Sequence, residues 1–105
     1  MAPHNRPRAL PVSIDPDLRD LISGFLQNRQ LDIQRLHRAV AVEDFETIRT
    51  LGHRMRGDGG GYGFHTISDI GEALEKAAIE KHVPEISARI EELIQYLDRI
   101  EVVYE

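Results

Sequence analysis

Residues 51–75 read LGHRMRGDGGGYGFHTISDIGEALE, from Leu51 to Glu75, and the rest of the chain is organised around them. The stretch opens as helix. At about 100° per residue, Ile48, Leu51, Met55 and Gly59 fall on one stripe, centred roughly 200° away from His53. The imidazole therefore points away from the buried seam. Arg49, four residues earlier, and Arg56 and Gly57, three and four residues later, share its exposed face. A surface histidine flanked by cations, with a glycine one turn on, is an accessible nucleophile in surroundings that attract anions.

Working outward, the run Gly57-Asp58-Gly59-Gly60-Gly61-Tyr62-Gly63 must end this helix, since each interior glycine costs about 1 kcal/mol relative to alanine. Periodicity does not fix the point at which it ends. A third helix, about 65–81, carries Ile67, Ile70, Leu74, Ala77 and Ala78 on one face, with Glu75 about 110° from the centre of that face. A fourth follows Pro84, a good first helical residue. Its apolar positions Ile86, Ile90, Leu93, Leu97, Ile100 and Tyr104 are spaced 4-3-4-3-4.

Upstream, Glu43 and Asp44 start the helix that contains Phe45, Ile48, Leu51 and Met55. Asp15-Pro16-Asp17 is a strong earlier start: an N-cap, a proline at the first position and an acid facing the positive end of the dipole. From there Leu18, Ile22, Phe25, Arg29, Ile33, Leu36 and Val40 predict one long helix over 16–41. Arg29 interrupts its seam, so a break near Asn28–Gln30 into two shorter helices is the alternative. No period-two run or hairpin turn signals a strand. Short connections between amphipathic helices imply antiparallel neighbours, hence an all-α, up-down-up-down four-helix bundle.

The domain is expected over 15–105, with 1–14 as a flexible tail in which Pro3, Pro7 and Pro11 favour extended backbone. Val12 and Ile14 are available to pack across the end of the bundle. A length of 105 residues allows one domain with a single modest core. The chain has no cysteine, which removes disulfides and thiolate metal sites and suits a reducing cytosol. Its net charge of −5 argues against a nucleic-acid partner. No apolar run approaches the ~20 residues that span a bilayer. MAPHNRPRALPV lacks the apolar h-region of about 7–15 residues that a signal peptide carries.

The chemistry rests on few residues. His4, His37, His65 and His82 form no arrangement with a further meaning. A metal site would place His, Asp or Glu one turn from His53, where Arg49, Arg56 and Gly57 stand instead. The glycine run has neither the preceding strand nor the Gly-Lys-Ser/Thr ending of a phosphate-cradling loop. Its glycines instead let two helices approach closely and keep bulk off the surface near His53.

These residues resemble a family. His53-Arg54-Met55-Arg56-Gly57, then Gly63-Phe64, Ile67, Ile70 and Leu74-Glu75, match the signature of histidine-containing phosphotransfer (HPt) domains. That signature is a histidine, an apolar residue two on, a basic residue three on and glycine four on. A glycine and a large apolar residue follow ten and eleven on, with Glu or Gln twenty-two on, and every offset is met. Asp58, where a small residue is common, and the three consecutive glycines are the departures; a helical angle of about 140° from His53 should keep Asp58 off a phosphate.

The resemblance implies a phosphocarrier of a two-component phosphorelay, with His53, Arg56, Gly57 and Glu75 as site residues. His53 would take the phosphoryl group on Nε2 from a sensor kinase or a receiver aspartate, and pass it to another receiver. Glu75 would accept a hydrogen bond from Nδ1–H, Arg56 would offset phosphoryl charge with Arg49 assisting, and Gly57 would leave room for the partner. The chain would bind no cofactor, the Mg²⁺ of the reaction lying in the partner's acidic pocket. With no ATP-binding motif it would not be a kinase by itself. A cytoplasmic monomer, free of nucleic acid and membrane, is expected, with Ile79 as an apolar docking residue beside Glu75. The competing reading is a helical interaction module or adaptor that binds signalling partners without transferring phosphate.

Overall fold

Asp15 starts the helical part of the chain as its sequence predicts. Its carboxylate accepts from the Asp17 backbone N–H at 2.9 Å, and Pro16 occupies the first turn. The computed structural model describes residues 9–105. One 3₁₀ turn, Pro16–Leu18, feeds α1, Arg19–Ala41. The helix does not break at Asn28–Gln30. Arg29 is buried, but its Nε donates to Asp32 Oδ2 at 2.9 Å and its guanidinium lies 4.7 Å from the Phe25 ring centroid. Asp32, also buried, accepts in addition from Arg35 Nη1. A buried charge that finds its partner one turn away on its own helix gives the helix no reason to bend.

Three further helices follow: α2, Phe45–Gly61; α3, His65–Ile79; and α4, Val83–Arg99. All three connections close in the same way. Residues Glu43, Gly63 and Lys81 take positive φ, of 55°, 91° and 54°, and the next N–H reaches back five residues: Asp44 to Ala39, Phe64 to Gly59, and His82 to Ala77. This is the closure that satisfies the orphan carbonyls of a helix end. It settles where the glycine run ends: α2 continues through Gly57–Gly61 and stops ahead of Gly63. Glycine is needed at this connection because, besides the positive φ, a Cβ there would sit 3.0 Å from Ile14 Cδ1. Phe64 then plugs the core, stacked on Phe25 with ring centroids 5.2 Å apart.

Asp44 caps α2, accepting from Thr47 N–H at 3.1 Å and from Thr47 Oγ1 at 2.6 Å. The hydroxyl bond first, and the backbone bond second, hold the Asp44 carboxyl below the usual Asp value of 3.8. A carboxylate depressed in the folded state adds stability above its unfolded pKa and loses it as pH falls through the folded one. Asp44→Ala is therefore expected to lower the thermal midpoint at neutral pH, with the gap to wild type closing as pH falls below the Asp range. A gap independent of pH would mean that the carboxylate charge has no part in the cap.

The four helices form an all-α antiparallel bundle, as the periodicities imply, with α2 and α3 in the closest contact. Its core runs from Ile22, Phe25, Ile33 and Leu36 through Ile48, Met55, Ile67, Ile70 and Leu74 to Ile86, Ile90 and Leu93. Three expectations need correction. α3 stops at Ile79, two residues early, α4 stops at Arg99, and the chain does contain strands. Leu10–Ile14, named β1, and Ile100–Tyr104, named β2, pair in parallel with Leu10 opposite Ile100 and Ile14 opposite Tyr104. The tail expected over 1–14 is thus strand from Leu10 onward, and residues 1–8 lie outside the described residues.

The residues of both segments fit two patterns. Ile100 and Tyr104 fit the i, i+4 spacing of a helix, but with Val102 they also fit the alternation of a strand. Leu10, Val12 and Ile14 alternate inward with exposed Pro11 and Ser13, and Ile14 is buried in the core. Each segment is short, and only the other, some 90 positions away, supplies its backbone partners.

Candidate phosphotransfer site

His53 lies in the middle of α2 with its side chain 70 % exposed, opposite the buried Ile48, Leu51 and Met55. Its Nδ1 is 3.1 Å from Glu75 Oε2 on α3. An ionised carboxylate only accepts, so this contact assigns the ring proton to Nδ1 and leaves the lone pair on Nε2. Glu75 is well covered, its side chain 17 % exposed, and its second oxygen, Oε1, accepts from Arg56 Nη1 at 3.5 Å. One carboxylate thus joins His53 and Arg56 from the neighbouring helix.

That distance depends on two glycines outside the predicted set. A Cβ built on Gly52 would lie 2.7 Å from both Glu75 N and Gly71 O; one on Gly71 would lie 2.6 Å from both Arg56 N and Gly52 O. The two glycines face each other where α2 and α3 touch, backbone against backbone, immediately beside Arg56, His53 and Glu75. Gly59 extends the contact two turns on, where a Cβ would meet Ser68 N at 2.6 Å. Ser68 Oγ donates to the Arg56 carbonyl oxygen across the same seam. The sequence does carry a signal for this: Gly52 and Gly59, seven residues apart, make a line of small residues along one side of α2.

The glycines on the His53 face are of another kind. A Cβ on Gly57 or Gly61 meets nothing within 4 Å, and one on Gly60 only Ser68 Oγ at 3.7 Å. They leave open surface around the imidazole. Asp58 lies in the groove between α2 and α1, with Leu21, Gly24 and Asn28, on the far side from His53. Arg49 and Arg54 are exposed, as is Ile79, one turn beyond Glu75. Of the remaining histidines, His82 is the N-cap of α4, its Nδ1 accepting from Glu85 N–H at 3.1 Å, a role its sequence position did not reveal. His4 lies outside the described residues. Among the described residues, no group of three His, Cys, Asp or Glu is placed to hold a metal ion, and no helix is long and apolar enough to cross a membrane.

Residues 20–102 match the family model of the Hpt domain, so that the match spans all four helices and the site. The chain belongs to the Hpt domain family. Hpt domains take part in histidine phosphotransfer in two-component signalling, where they interact with receiver domains and kinases. Neither the search of curated proteins nor that of solved structures returned a match. Within this Hpt domain, the signature residues His53, Arg56 and Glu75 converge at one place on the α2–α3 surface, and Gly57 borders it with open space where a side chain would stand.

Proposed function

We propose that this Hpt domain is a phosphocarrier that holds a phosphoryl group on His53 and relays it between a sensor kinase or receiver aspartate and a second receiver. The observation that carries this reading is the contact of an exposed imidazole with a covered carboxylate through Nδ1, which leaves Nε2 as the nucleophilic nitrogen.

In the forward step the Nε2 lone pair attacks phosphorus in line as the bond to the donor's acyl oxygen breaks, and the donor carboxylate leaves with that electron pair. The proton on Nδ1 stays where it is. The ring becomes cationic, and Glu75 supports that charge through the hydrogen bond it already accepts. Such a transfer asks the scaffold for positioning and electrostatics, with little covalent work. Arg49 and Arg56, one turn to either side of His53 on α2, put cationic side chains on the approach face. We take the Mg²⁺ of the reaction to be supplied by the partner's acidic pocket, since Arg49, Arg56 and Gly57 stand one turn from His53 where a divalent cation would need oxygen ligands. A cytoplasmic monomer fits this role, and light scattering reads the oligomeric state.

The test is a chase from a radiolabelled phospho-receiver. Label moving to this chain, and on to an unlabelled receiver, is the expected result. Stable binding without label would favour an interaction module that has kept the fold but not the transfer.

The open surface at Gly57 gives a second expected outcome. Gly57→Leu places bulk one turn from His53 where only a partner would meet it. It should slow transfer by about 100-fold, a loss of the size that misplaced reacting atoms produce. Folding should improve by up to about 1 kcal/mol, the helix-propensity difference. Wild-type transfer rates in Gly57→Leu would show that the partner docks on a different face.

A further inference from the structure

Asp58 is the charged departure from the signature, and its surroundings give it a use. The groove between α1 and α2 in which it lies has a volume of about 340 Å³, at the lower end of ligand pockets and suited to one long side chain. Asp20 and Asp58 both line it, both are exposed, and neither makes an ion pair among the described residues. Leu21, 53 % exposed, supplies an apolar wall. The floor is polar. The Arg29 side chain is more than nine-tenths buried and its Nε is taken by Asp32, but its two terminal nitrogens have no hydrogen-bond partner among the described residues. Buried donors of this kind call for an acceptor, and the Asn28 amide stands beside them on the groove wall.

Exposed acids over buried donors suit an occupant that carries a cation and an acceptor side by side. A lysine or arginine in the last turn of a helix has both, its own charge and the free carbonyl oxygens of the helix end. Its aliphatic stem lies along Leu21 while the charge reaches the acids. Although Asp58 faces away from His53, the groove is within reach of a body docked over the imidazole. Five residues along α2 are a rise of about 7.5 Å, and a stable interface covers about 800 Å² of each partner, a much wider patch. Gly57 and Gly61, at about +40° and +80° from His53, keep the surface between them low, since a Cβ on either meets nothing within 4 Å. We propose that Asp58, together with Asp20, is a specificity-determining residue: it admits receivers that present a lysine or arginine to this groove and rejects those that present an acid there. This rests on the phosphocarrier reading and names the class of partner within it. Asp58 acts on docking alone, because at about 140° from His53 it faces away from the phosphoryl group.

Single-turnover transfer from a phospho-receiver that labels this chain, followed across receiver concentrations, separates docking from chemistry. The double variant Asp20→Asn, Asp58→Asn should raise the half-saturating receiver concentration about threefold to fivefold, the scale of an exposed ion pair. Asp58→Lys, which sets like charges against each other, should raise it by about 10-fold or more. The rate at saturation should stay within about twofold of wild type in both. Both acids are exposed, so helical content should be unchanged, and circular dichroism on the same samples checks it. A scan in which each exposed lysine and arginine of the receiver is changed to glutamate should contain one variant that docks better on Asp58→Lys than on wild type. An unchanged half-saturating concentration in Asp58→Lys, an effect confined to the saturated rate, or a scan without such a variant overturns the proposal. If no receiver labels the chain, the phosphocarrier reading fails, and calorimetry with the same receivers unphosphorylated decides the groove. Weaker binding to Asp58→Lys than to wild type upholds it; equal binding, or binding to neither, overturns it.

Discussion

His53→Gln is expected to abolish phosphorylation of this chain altogether, with helical content unchanged. The imidazole is 70 % exposed, faces away from the core and is held by its hydrogen bond to Glu75, so its removal leaves the packing intact. Glutamine keeps the polarity and much of the length of the side chain but has no nucleophilic nitrogen. Labelling from a phospho-receiver, with circular dichroism on the same samples, gives both quantities. The bond itself supplies a further check: a phosphoramidate is lost in acid and survives base, whereas an acyl phosphate is lost in base. Label that persists in His53→Gln, or that reappears on His65 at the start of α3, would remove the central claim.

The second large effect is expected at Gly71. Alanine there would bring a Cβ to 2.6 Å from Arg56 N and Gly52 O, which are backbone atoms that cannot swing aside as a side-chain tip does. Restoring ordinary contact requires α2 and α3 to separate by on the order of 1 Å. Overpacking of this kind costs about 1–3 kcal/mol, and the gain of up to about 1 kcal/mol in helix propensity offsets only part of it. The separation also draws Glu75 from His53, and a misplacement of about 1 Å at a reacting group can cost 10²-fold in rate. Gly71→Ala should therefore lose stability in urea and transfer together. Gly57→Ala is the control: the same change where a Cβ meets nothing within 4 Å should add a few tenths to about 1 kcal/mol. Gly71→Ala unfolding at the wild-type midpoint and transferring at the wild-type rate would mean that the two helices have slack the seam does not show.

These contrasting glycines mark the boundary between what the chain spells out and what folding adds. The four helices are legible because each carries an apolar stripe at helical spacing, and because Asp15, Asp44 and Pro84 are strong local start signals. Capping and periodicity are local physics, acting within a turn or two, so the sequence carries these signals without help from the fold. The exposure of His53 is of the same kind, since it follows from its angle to Leu51 and Met55 on one helix. The offset of twenty-two residues from His53 to Glu75 is legible only as a pattern; on the residues alone, Glu75 is an acid at the edge of its helix's apolar stripe.

The tertiary structure decided what depends on a second element. Gly52 and Gly57 are the same residue five positions apart, yet one is pressed against the α3 backbone and the other faces open space. Only the packing of α3 makes that difference, because a missing Cβ acquires meaning from what fills its place. The pairing of Arg56 with Glu75 arises in the same way, from a helix separation that the glycines permit. Arg29, an interruption by pattern, becomes a core residue through Asp32 and the Phe25 ring. The strands are the furthest case. Leu10–Ile14 and Ile100–Tyr104 are too short to declare themselves, and their hydrogen bonds exist only once the bundle has brought the two ends of the described chain side by side.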